Sequence, residues 1–105
     1  MTGAYRRVVV IGGSHAVPLV RELVDAGHEV HCVDGAEVPV AWLASQTACD
    51  LDSADQLVAA IERIGSVVHA LYLGCSLAPA VLDAVVAAAE SKSIAGSFAV
   101  IEAND

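Results

Sequence analysis

Arg7-Val-Val-Val-Ile-Gly-Gly-Ser-His-Ala-Val-Pro18 decides the fold. Arg7 to Ile11 is a β-branched run with no alternation of apolar and polar residues, as in a strand buried on both faces. Gly12-Gly13-Ser14 stops it. A helix is predicted from about Val17, with Pro18 in the first turn, where a missing N–H costs little. Val17, Val20, Leu23 and Val24 form its apolar stripe, and Gly27 ends it as a left-handed cap. Glu29 to Asp34 then reads as a second strand. A strand, tight turn, helix and second strand in this order make a parallel pair with a right-handed crossover.

The same alternation continues. Gly35 to Ser45 is irregular, limited by Pro39, with Trp42 expected to pack onto the fold. Thr47 to Asp50 is a short third strand. Ser53 and Gln56 have the spacing of a capping box. They open a helix with Leu57, Ile61 and Ile64 on one face, stopped by Gly65. Val67 to Leu73 is the fourth strand, Ala80 to Glu90 an alanine-rich third helix, and Ser97 to Glu102 the fifth strand. The expected architecture is α/β in three layers, with helices on both faces of a five-stranded parallel sheet of order 3-2-1-4-5. Residues 1–105 are read as one domain, truncated after strand five.

Composition excludes several classes. The chain has 105 residues, 56% of them hydrophobic, with 13 acidic and 5 basic side chains and a net charge of −8. That is too apolar for a disordered chain. The scattered bases Arg6, Arg7, Arg21, Arg63 and Lys92 form no track for nucleic acid phosphates. No uninterrupted apolar stretch is long enough to span a bilayer, and Val8 to Ile11 is too short for a signal peptide core. Cys32, Cys49 and Cys75 show no metal-binding spacing, and their odd number fits reduced thiols in the cytoplasm.

The ends of the strands carry the candidate chemistry. In a dinucleotide fold, glycines in the first βα turn let the backbone approach a pyrophosphate, whose charge the helix N-terminus stabilises. Gly12 and Gly13 are such glycines, and Ser14 and His15 share the turn. Asp34, 22 residues after Gly12, has the spacing of an acid that bonds the ribose hydroxyls of NAD. A solvated turn residue in Asp34-Gly35 explains it equally well. Asp50 has an adenine-contacting reading and a loop-acid reading, of which the second is preferred. Gly74 and Cys75 end strand four beside the crevice, where Cys75 is a small filler or, with a lowered pKa, a reactive thiol. Cys32 and Cys49 read as core. The four histidines form no evident catalytic set, and His31 and His69 read as structural strand residues.

Arg7 to Asp34 resembles the opening of a Rossmann domain of the short-chain dehydrogenase/reductase type. Residues 50–73, with Val67-Val68-His69 in the fourth strand, are similar to the structural subdomain of polyketide synthase ketoreductases, and Val81 to Glu102 continue that likeness. Against the short-chain pattern, Ala16 and Pro18 stand where later glycines belong. The catalytic Tyr-x-x-x-Lys is missing too, since Tyr5, Tyr72 and Lys92 do not have that spacing. The resemblance therefore implies a pseudoenzyme: a degenerate, cofactor-free scaffold supporting a ketoreductase or polyketide synthase partner, or a homo-oligomer. The alternative is a small NAD(P)- or nucleotide-binding protein using Gly12, Gly13, Ser14, His15, Asp34, Asp50 and Gly74, with NAD as cofactor. A third reading is a small-molecule enzyme built on Ser14, His15, Cys75 and Ser76.

Overall fold

The computed structural model describes residues 6–64, 68–93 and 99–102. Five strands, β1 (Arg7–Ile11), β2 (Glu29–Asp34), β3 (Ser45–Ala48), β4 (Ala70–Leu73) and β5 (Ala99–Glu102), form one sheet of order β3-β2-β1-β4-β5. Every pairing is parallel. Helix α1 (Val17–Asp25) follows β1 after a short 3-10 turn at Gly13–His15; α2 (Ala54–Glu62) joins β3 to β4, and α3 (Pro79–Glu90) joins β4 to β5. This is the α/β architecture and strand order expected from the sequence.

Alternation along the strands divides the core into two layers. Val9, Ile11, Val33, Leu71 and Leu73 face α2 and α3, where they meet Leu57, Ile61, Val81 and Val85. Val8, Val10, Val30, Cys32 and Ala70 face α1 and meet Val20 and Leu23. Both faces of β1 are thus buried, which is why its sequence shows no polar alternation.

The element boundaries hold where apolar runs mark them. β1 and β2 occupy the expected residues. Gly27 adopts a left-handed φ of 90° just past α1, and Ser53 Oγ accepts a hydrogen bond from Gln56 N to cap α2. The reciprocal half of that capping box is absent: Gln56 Oε1 accepts instead from Asp50 N. β3 begins at Ser45, two residues earlier than expected, and ends at Ala48. β4 begins at Ala70; Val67 and Gly65 lie outside the described residues, as do Ser97 and Phe98 at the start of the expected fifth strand.

The connection from β2 to β3 is irregular, as expected. It spans ten residues, 35–44, without a helix. Val38 is buried in the α1 layer. Its backbone is gripped at both polar atoms by Gln46, with Val38 N donating to Gln46 Oε1 at 2.9 Å and Gln46 Nε2 donating to Val38 O at 3.0 Å. Trp42 does not pack onto the fold. It is 88% exposed and sits in a turn with a φ of 70°. At that exposure its apolar area contributes little to the core.

Candidate functional site

The C-terminal ends of β1, β2 and β4 bring together most of the residues that the sequence singles out. Gly12 leaves β1 with a φ of 75°, a left-handed conformation that an L side chain adopts only with strain. A Cβ at Gly12 would also collide with Cys75, and a Cβ at Gly74 would collide with the Gly12 carbonyl. The two glycines therefore let β1 and β4 close against one another at the crevice. Gly74 N donates to Ile11 O at 2.7 Å, and Gly12 N donates to Val33 O at 2.9 Å. The turn is thus tied to both neighbouring strands.

Asp34 is the buried charged residue at this end of the sheet, only 5% exposed. Its Oδ2 accepts from Ser14 N at 2.8 Å and its Oδ1 from Ala36 N at 3.3 Å. Burial by itself would raise its pKa. Hydrogen bonds from the Ser14 side chain and from the backbone of Ser14, Ala36 and Gly35 outweigh that, and hold the carboxyl below its ordinary value. Each carboxylate oxygen thus accepts one backbone N–H from within the protein. Asp34 is an internal clasp between the first turn and the end of β2.

The other residues are placed less centrally. His15 and Asp50 are exposed. Asp50 Oδ1 accepts from Asp52 N at 2.9 Å, as a loop acid does. Cys32 and Cys49 are buried core residues. Burial, reinforced by the charge of Asp34, pushes the Cys32 thiol up to about 12. The same two causes raise the pKa of Cys75. Cys75 is thus the small filler over Gly12, without the lowered pKa that the reactive-thiol reading requires. Among the described residues no group of three His, Cys, Asp or Glu side chains could hold a metal ion, and no helix is long and apolar enough to cross a membrane.

The crevice departs from a dinucleotide site at two named positions. Asp34, the acid that would meet a ribose diol, already accepts from Ser14 N and Ala36 N. Pro18 at the start of α1 removes an N–H that a pyrophosphate would use. The cavity beside Asp34, lined also by Gly35, Glu37 and Gln46, has a volume of about 190 Å³.

A second group was not foreseen, because its members are separated in sequence. On the α2 face of the sheet, His31 Nδ1 lies 2.7 Å from Ser45 Oγ, and His31 Nε2 lies 2.6 Å from Glu29 Oε2. Arg7 completes the row through Nε and Nη2, both donating to Glu29. The Glu29–His31 alternation on one strand was a visible signal. Ser45 was not, because its place opposite His31 depends on where β3 begins. His69, by contrast, is a structural strand residue whose Nδ1 accepts from Arg7 N at 3.0 Å.

No protein-family profile matches the sequence, and no curated protein matches it. Solved structures do match the fold. A short-chain dehydrogenase/reductase from Serratia marcescens superposes with a TM-score of 0.75 at 16% identity, over 92% of this chain and 54% of that one. The aldohexose dehydrogenase of Thermoplasma acidophilum gives 0.70 at 18%, over 84% and 44%. A short-chain dehydrogenase/reductase superfamily protein from Agrobacterium tumefaciens, solved with bound NAD, gives 0.56 at 22%, over 80% and 30%. The chain spans about half the length of the first two. Parallel order, crossovers and superposition agree that this chain has a Rossmann-like α/β fold, the fold of these short-chain dehydrogenase/reductase structures.

Proposed function

We propose that the chain is a Rossmann-like assembly module, non-catalytic at its dinucleotide crevice, that docks a partner chain along β5. The observation that carries this reading is the state of β5, where all four residues are exposed. Val100 and Ile101 are 40% and 37% exposed. They lie on opposite faces of the strand, because their neighbours Leu71 and Tyr72 face opposite layers of the core. An apolar strand open on both faces and along one edge is a pairing surface. In its finer form, the partner is a ketoreductase or polyketide synthase domain in the cytoplasm, or a second copy of the chain. The ketoreductase-like run of residues 50–73 supports that form.

Replacing Val100 and Ile101 together by lysine tests the module. Analytical ultracentrifugation of the intact chain, alone and mixed with a ketoreductase catalytic domain, is expected to show a complex that the double variant loses. A chain that stays monomeric and ignores that domain at high micromolar concentration overturns the reading. The NAD-binding alternative draws on the fold shared with the NAD-bound structure and on the placement of Gly12 and Asp34 at the crevice. Calorimetric titration with NAD separates the two. Saturable binding lost in Asp34→Ala would favour the alternative.

A further inference from the structure

At the β3 edge of the sheet, opposite β5, four side chains stand in a row across three strands. Register places Arg7 beside Glu29 and His31 beside Ser45. Glu29 and His31 share one face because they are two residues apart on β2. The row is half-buried: the Arg7, Glu29 and His31 side chains are 22%, 19% and 12% exposed.

The proton positions in this row follow from the chemistry of its members. Glu29 is paired with the Arg7 guanidinium through two donors, so it is ionised and only accepts. The His31 nitrogen facing it, Nε2, must therefore carry hydrogen. In the neutral ring Nδ1 is then the acceptor, and the hydroxyl 2.7 Å away on Ser45 donates into it. Hydroxyl, imidazole and carboxylate stand in the order that activates a serine.

The row opens onto a cavity of about 270 Å³ lined by His31, Ser45, Thr47, Ala60, Arg63 and Ile64. The volume suits a short acyl group. Among the described residues lining it, Arg63 carries a guanidinium and none is a carboxylate. The cavity thus favours a substrate carrying a negative charge.

We propose that Ser45 is the nucleophile, and His31 the general base, of a hydrolytic site for small esters bearing a carboxylate, with Glu29 and Arg7 as positioning residues. The Ser45 Oγ–acyl carbon bond forms as the hydroxyl proton passes to His31 Nδ1. The acyl carbon–alkoxy oxygen bond then breaks, and the leaving alcohol takes that proton. Water repeats the sequence: its oxygen attacks the acyl carbon, its proton goes to His31, and Ser45 Oγ leaves and recovers the proton. Nothing is oxidised or reduced. The site is independent of the crevice at Gly12 and of the β5 surface, so assembly along β5 leaves it open.

The test uses the intact chain with 4-nitrophenyl hemisuccinate, 4-nitrophenyl acetate and a fluorophosphonate probe. Mass spectrometry of the probe-treated protein is expected to place the adduct on Ser45. Hemisuccinate hydrolysis should fall on the order of 100-fold or more in Ser45→Ala and His31→Ala. Arg63→Gln should raise KM for the hemisuccinate by a much larger factor than KM for the acetate. Glu29→Gln should lower kcat at constant KM, a split that a purely stabilising role would not produce. If His31→Ala does not fold, His31→Gln replaces it, and the same loss is expected. A wild-type rate equal to that of Ser45→Ala, or a Ser45 adduct that forms equally fast without His31, overturns the proposal.

Discussion

Asp34 shows how one residue answers two sequence readings at once. Its spacing from Gly12 is that of a ribose-binding acid, yet its carboxylate accepts from Ser14 N and Ala36 N within the protein. The sequence could place the acid at the end of β2. It could not show where the carboxylate points, because that depends on the backbone of a turn 20 residues away. Asp34→Ala would leave the Ser14 and Ala36 amides without their carboxylate partner, and a loss of about 1–3 kcal/mol is expected in urea unfolding. The pH dependence has a definite sign. The folded-state pKa lies below the ordinary 3.8, so the stabilisation from ionised Asp34 is complete above that value and is lost as pH falls through the folded one. The difference in stability between wild type and Asp34→Asn should therefore be constant from pH 8 to pH 5 and shrink only in stronger acid.

At the scale of elements, legibility followed apolar pattern. β1, β2 and α1 were readable because their buried positions have strong periodicity and the glycines punctuate them. β3 was misplaced by two residues because Ser45-Gln-Thr-Ala48 is a polar edge strand whose residues are only half-buried or exposed. Its position is fixed by pairing with β2 and not by its own composition. The candidate site followed the same division. Gly12 and Gly74 were readable from turn chemistry, whereas the Ser45–His31 contact requires the register of two strands. The helix-free link 35–44 depends on Gln46, which replaces the hydrogen bonds a helix would have supplied. Gln46→Ala should cost about 1–3 kcal/mol and raise amide hydrogen exchange at Val38 before it affects β1.

For the whole molecule, the fold concentrates different properties at opposite edges of one sheet. The β5 edge is apolar, short and open, whereas the β3 edge is polar and carries the Arg7–Glu29–His31–Ser45 row. The middle strand, β1, is shared by both core layers and ends at Gly12. The net charge of −8 opposes close approach of two copies at low ionic strength. Self-association along β5 should accordingly strengthen between about 20 mM and 300 mM salt, as sedimentation velocity would show. Attraction between unlike charges would give the opposite trend.

Trp42 is the single tryptophan of the chain, and its indole is already in water in the folded state. Intrinsic fluorescence will therefore report little of unfolding, since the emitting ring moves from one aqueous environment to another. The same ring becomes a sensitive optical gauge of anything that settles on the 35–44 link, because covering it would shift its emission to the blue. The residue that contributes least to the core is thus the molecule's built-in contact reporter.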